Sequence, residues 1–218
     1  MLSFAEENYL KSIYHLSNGG MQAVSTNAIA DHLKTKPASV SDMVRKLASK
    51  NVILYEKYKG ARISEFGKKQ ALNIIRKHRL WEVFLVEKLH FNWDEVHEIA
   101  EQLEHIRSPL LISRLDEFLG FPQYDPHGDP IPDEHGVVQA KPRISLSKLD
   151  IKESGTLISV RDTSDLFLQD LDKVGIAIGS RIKVLDKFPY DDSMEIYIDG
   201  KHKVSVSKDV CENLLITR

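Results

Sequence analysis

His78 and Glu82 stand four residues apart, and further on His97, Glu101, Glu104 and His105 follow at offsets of 0, 4, 7 and 8. On a helix each set falls along one stripe, because residues three, four, seven and eight apart share a face. Packed antiparallel, two such stripes enclose a divalent cation with imidazole nitrogen and carboxylate oxygen. A donor set without thiolate suits Mn2+ or Fe2+ better than structural Zn2+. A solvated face of histidines and acids has the same spacing, and from spacing alone the two readings weigh evenly.

The surrounding pattern supplies elements to carry these side chains. Phe4, Tyr9, Ile13, Tyr14 and Leu16 have the spacing of an amphipathic helix, stopped by Asn18-Gly19-Gly20. A short helix capped by Ser25 or Thr26 follows, with Ile29, Ala30 and Leu33 as its buried face. Pro37 then opens a helix with Val40, Met43, Val44 and Leu47 inside, which completes a helix-turn-helix. A hairpin is predicted from Val52 to Tyr58, turning at Lys59-Gly60 and returning through Ser64.

A long helix is predicted from Glu65 to about Leu89, a second from about Asp94 to His105, and a third from Ser108-Pro109 to Phe118. Four prolines between Phe121 and Pro132 exclude helix there. From about Ser145 the texture is β, with segments 156–160, 181–185, 195–198 and 203–206, one helix from Leu166 to Val174, and Asp199-Gly200 as a turn. Short strands in that number suggest a small closed barrel.

Charge divides the chain. Residues 1–79 hold 14 Lys+Arg against six Asp+Glu, whereas the remainder holds 16 against 26. A basic first module on an acidic body points to a polyanion as partner of the first part. The third helix offers Lys36, Ser39, Ser41, Asp42, Arg45 and Lys46 on or near its solvent side. Ser and Asp hydrogen-bond base edges, and Lys and Arg neutralise phosphates. The hairpin tip adds Lys57, Lys59 and Arg62 as a wing beside the groove. A helix-turn-helix of this kind also serves protein contacts in some settings. The N-terminal residues lack the features of a signal peptide, and no stretch approaches a membrane span. The single cysteine, Cys211, excludes an internal disulfide and fits the cytoplasm.

A basic winged helix followed by RKHRLWE (Arg76 to Glu82), VHEIAEQLEH (Val96 to His105), DPHGDPIP (Asp125 to Pro132) and a small β domain resembles the diphtheria-toxin-repressor family of metal-dependent regulators. The resemblance covers essentially the whole chain. It implies an α+β protein with a winged helix-turn-helix at 1–65, a helical metal-binding and dimerisation domain with a proline-rich loop at 66–140, and an SH3-like, FeoA-like domain at 145–218. It further implies a homodimer that represses metal-homeostasis genes from a palindromic operator, without enzymatic activity.

By position in the family, Asn8, Glu101, Glu104 and His105 would form a primary metal site and His78, Glu82 and His97 an ancillary one. Iron-type members place a sulfur residue where this chain has Glu101, and manganese-type members a carboxylate, so Glu101 favours Mn2+ over Fe2+. Asn8 departs from both, since the manganese type usually has Asp there and the iron type Met. Glu6 or Glu7 would substitute if the first helix were shifted. Asp125 and His127 are further ancillary candidates. So are Asp162 and Asp165, although strand-end turn chemistry is the slightly better account of those two. Two alternatives stay open at this point: a winged-helix sensor of an organic ligand, and a metalloenzyme.

Overall fold

Ser3 accepts a hydrogen bond from the Glu6 N–H while the Glu6 carboxylate accepts one from the Ser3 N–H, and this capping box starts helix α1 (Phe4–Leu16). The computed structural model describes residues 1–56 and 59–218. Asn18, Gly19 and Gly20 all take positive φ and end the first helix where the sequence predicts. Ser25 caps α2 (Thr26–His32), and Pro37 opens α3 (Pro37–Ser49). Strands β1 (Ile53–Glu56) and β2 (Gly60–Ile63) pair antiparallel as the wing. Leu10, Ile13, Val24, Ile29, Val40, Val44, Leu47, Ile53 and Ala61 form one buried cluster that fixes helices to wing.

Helix α4 (Glu65–Leu89) runs unbroken over the predicted span. Helix α5 (His97–Leu103) is shorter than the sequence predicts, and α6 (Pro109–Phe118) follows. Residues 93–95 form a turn and Val96 a bend, and Glu104 and His105 lie in a turn beyond Leu103. The predicted single stripe from His97 to His105 is therefore broken. The chain leaves the helix ahead of Ser108-Pro109, where proline biases the preceding residue away from helical backbone.

The C-terminal part is a six-stranded antiparallel sheet in the order β3-β8-β4-β5-β6-β7. Its strands are β3 (Ile144–Ser145), β4 (Ser154–Val160), β5 (Arg181–Phe188), β6 (Ser193–Ile198), β7 (His202–Val206) and β8 (Leu214–Thr217). Helix α7 (Asp165–Lys173) lies between β4 and β5 in sequence, and α8 (Lys208–Asn213) precedes β8. Leu157, Leu168, Leu171, Ile182, Val184, Ile196, Cys211 and Ile216 share its buried cluster. Burial pushes the Cys211 thiol up to about 11, so it packs as a neutral side chain.

Contacts along the chain group into two units. One comprises Met1–Arg79, Glu101–Ser113 and Pro132–Val138, and the other Leu80–Ala100, Arg114–Ile131 and Gln139–Arg218. The protein is thus an α+β fold with the helix-turn-helix and its hairpin, the helical segment and the β domain in that order. Among the described residues no helix is long and apolar enough to cross a membrane.

Candidate metal centre

In the first unit α1 faces the 101–105 segment. Glu7 and Lys11 fall at i and i+4 and share one face of α1, with Asn8 three residues before Lys11. His105 Nδ1 donates to Glu7 Oε2 at 2.6 Å. A neutral His105 that donates through Nδ1 carries its lone pair on Nε2, the form in which imidazole ligates metal. The Phe4 ring stacks on His105 with centroids 4.7 Å apart and holds the imidazole plane.

His78, on α4, donates through Nδ1 to Glu104 Oε2 at 2.7 Å. Lys11 Nζ donates to both Glu104 oxygens at 2.8 Å and also to Glu101 Oε1. Ligand atoms of His78, Glu101 and Glu104 lie within 4.8 Å of one another. Glu104 is fully buried. Burial pushes its carboxyl up, but the His78 hydrogen bond and the Lys11 charge outweigh that and hold it below the usual carboxylate range. Lys77 is buried nearby; burial draws its ammonium down, against the pull of Glu7 and Glu104.

Asn8 Oδ1 is buried with no hydrogen-bond partner. An orphaned buried amide oxygen costs on the order of 1–3 kcal/mol, and a cation is one partner that removes the cost. The donor set is all oxygen and nitrogen, and a lysine ammonium already sits among its carboxylates. These residues fit a divalent cation. Glu6, by contrast, faces away: its carboxylate pairs with Lys50 at 2.7 Å and Lys46 at 3.3 Å. Of the two acids weighed from sequence as substitutes for Asn8, Glu7 is the one that meets the cluster.

In the second unit Glu82, Asp125 and His127 offer ligand atoms within 4.8 Å of one another, and all three are buried. Glu82 Oε1 is 3.6 Å from His97 Nδ1 and 3.8 Å from His127 Nδ1. His127 Nε2 is 2.8 Å from the Trp93 carbonyl oxygen. A carbonyl only accepts, so Nε2 carries a proton, the arrangement that leaves Nδ1 as the ring nitrogen a metal would use. Asp125 Oδ1 accepts from the His127 and Asp129 N–H groups at 2.9 Å each and thereby shapes the proline loop. Asp162 accepts from the Ser164 N–H at 2.9 Å, and Asp165 opens α7. Those two aspartates perform turn and helix-start chemistry.

Comparison with known proteins matches this layout along the chain. Residues 1–61 match the model described as iron dependent repressor, N-terminal DNA binding domain. Residues 64–133 match iron dependent repressor, metal binding and dimerisation domain, and residues 144–218 match the FeoA domain. A solved manganese-dependent transcriptional repressor in complex with manganese is 32% identical, with a TM-score of 0.87 over 97% of this chain and 98% of that one. The chain belongs to the diphtheria-toxin-repressor family. The diphtheria toxin repressor of Corynebacterium diphtheriae is 26% identical over 192 residues, 83% of this chain and 84% of the relative. The iron-dependent repressor IdeR of Mycobacterium tuberculosis is 32% identical over 126 residues, 58% of this chain. The chain spans about half the length of that relative, 54%.

Proteins of this family are metal-dependent transcriptional repressors, not enzymes, and the FeoA match assigns the C-terminal sheet to an SH3-like domain. At and along α3, Lys36, Ser39, Asp42, Arg45 and Lys46 are exposed and Ser41 is half-buried. Ser41 Oγ donates back to the Pro37 carbonyl at 3.0 Å, and Asp42 pairs with Arg45 at 2.9 Å. On the wing, Lys59 pairs with Glu56 at 2.6 Å and Arg62 is exposed. Lys57 lies outside the described residues.

Proposed function

We propose that this protein is a cytoplasmic repressor of metal-homeostasis genes that binds a palindromic operator as a homodimer when loaded with Mn2+, with Fe2+ as the alternative activator. The observation that carries the proposal is the meeting of α1 with the 101–105 segment: Glu7 and Lys11, which flank Asn8 on α1, bond to His105 and to Glu101 and Glu104. The three domains are taken as 1–65, 66–140 and 145–218.

The primary site draws on Asn8, Glu101, Glu104 and His105, with Glu7 and His78 beside them. A bound divalent cation supplies concentrated positive charge that draws these oxygens and nitrogens together. Glu101 as a carboxylate and the manganese-bound relative favour Mn2+; the iron-dependent relatives keep Fe2+ as the second choice. Glu82, His97, Asp125 and His127 form the ancillary site.

Helix α1 couples the site to the reading head through its other face. Glu6 grips Lys46 near the end of α3 and Lys50 just beyond it. A shift of α1 that Glu7, Asn8 and Lys11 undergo is therefore felt by the helix that carries Lys36, Ser39, Ser41, Asp42 and Arg45. Those residues read the major groove, with Lys57, Lys59 and Arg62 on flanking phosphates. Changing Glu104 and His105 together to Ala is expected to abolish Mn2+-dependent retardation of operator DNA in a gel shift. An undiminished metal response in that variant refutes the primary site.

A further inference from the structure

Lys11 holds a place among the carboxylates that the primary site would need for a metal. Its Nζ donates to Glu101 Oε1 and to both oxygens of Glu104. The lysine side chain is 12% exposed and that of Glu104 not at all, so water screens the arrangement little. Lys11 also reaches the cluster from α1, on the same face as Glu7 and Asn8.

An ammonium that engages both Glu104 oxygens and a divalent cation on the same oxygens disfavour each other. They compete for the same lone pairs, and at a few ångströms in a poorly screened site their mutual repulsion is strong. Without metal, however, the fully buried Glu104 requires a counter-charge, because a buried carboxylate stripped of its partner is strongly destabilising, and the half-buried Glu101 shares the same ammonium. The four-carbon stem of lysine lets its charge occupy the cluster or swing out while the backbone stays in α1.

We propose that Lys11 is a tethered competitor of the metal. It neutralises Glu101 and Glu104 in the metal-free protein and has to be expelled when the primary site fills. It thereby raises the free metal concentration needed for loading. Lys11 is an affinity-determining residue whose side chain is not itself a ligand. This rests on the assignment of the primary site above.

The test is calorimetric titration of Mn2+ into the full-length metal-free protein, with thermal unfolding of the same samples. The binding event lost in the E104A/H105A variant identifies the primary site. K11M is expected to tighten that event by about tenfold or more, and to lower the metal-free Tm. K11R, which keeps a cation in reach, is expected to stay within about threefold of wild type. K11Q serves in place of K11M if the latter does not fold, with the same expectation. Mn2+ affinity in K11M or K11Q equal to or weaker than wild type overturns the competitor role. Loss of no event in E104A/H105A overturns instead the site on which the role depends.

Discussion

The Glu6 carboxylate lies buried between the Ser3 N–H, Lys46 and Lys50, within the first turn of α1. Burial pushes its pKa up, yet the Lys50 and Ser3 hydrogen bonds and the two ammonium charges prevail and hold it at about 2, below the ordinary 4.5. A carboxylate depressed in the folded state contributes stability that is complete above the unfolded value and lost as pH falls through the folded one. The contribution of Glu6 should therefore persist above pH 4.5 and fade between there and about pH 2. Urea unfolding of wild type and Glu6→Gln across that range checks it: the stability gap between them should be widest near neutrality and close in acid. A gap that does not change with pH would show that Glu6 stabilises by packing alone. Adjacent residues thus divide the labour, Glu6 toward α3 and Glu7 toward His105. That division was not readable beforehand, since it depends on how α1 is rotated against its neighbours. Lys11 does not stand out in the sequence for the same reason, because a lysine on an amphipathic helix looks like any solvated cation.

At the level of elements, the wing is held by backbone as well as by the buried side chains Ile53, Ala61 and Ile63. Val24 and Ala61 exchange two N–H···O bonds of 2.8 Å, and a Cβ on Gly60, at φ +94°, would lie 2.4 Å from the Val24 carbonyl oxygen. Gly60→Ala should cost at least about 1–3 kcal/mol and loosen the Val24 and Ala61 amides, readable as a lower urea midpoint and faster hydrogen exchange at those two sites. Unaltered exchange would mean that the turn adapts. Elements with long periodic patterns and clear caps were legible in the sequence: α1 through Ser3 and Asn18-Gly19-Gly20, α3 through Pro37, and α4 through an unbroken apolar period. Shorter elements were not. Helix α8 and strand β8 occupy only Lys208–Asn213 and Leu214–Thr217, too few residues for a period to declare itself, and β8 is fixed by pairing with β3 and β4 across the sheet. The metal-ligand residue types were legible from spacing, whereas their grouping came from the family resemblance and not from helical periodicity. A continuous helix would have aligned His97 with His105, whereas the turn after Leu103 sends Glu104 toward His78 and Lys11. The partners of Glu82 in the proline loop come from 40 or more residues further along the chain.

On the scale of the whole molecule, the basic first module and acidic remainder make operator binding a counterion-release process. If Lys36, Arg45, Lys59 and Arg62 of each protomer engage phosphates, log affinity should fall against log salt with a slope of roughly −7. Fluorescence anisotropy between low and physiological salt measures it, and a slope near zero would speak against the assigned reading face. Linkage requires that operator DNA tighten Mn2+ binding by the factor by which Mn2+ tightens DNA binding. The second unit has a practical consequence for taking the protein apart. The His127 carbonyl accepts the Val160 N–H at 3.1 Å, Gly128 lies so close to Ile158 that a Cβ would fall 1.8 Å from its carbonyl oxygen, and the Trp93 indole donates to Asp172 at 3.0 Å. A chain stopped near residue 140 would look like a tidy two-domain fragment on paper. It would nevertheless strip the proline loop of the strand it leans on and leave the indole dangling. Measurements on Glu82, Asp125 and His127 belong in the uncut protein.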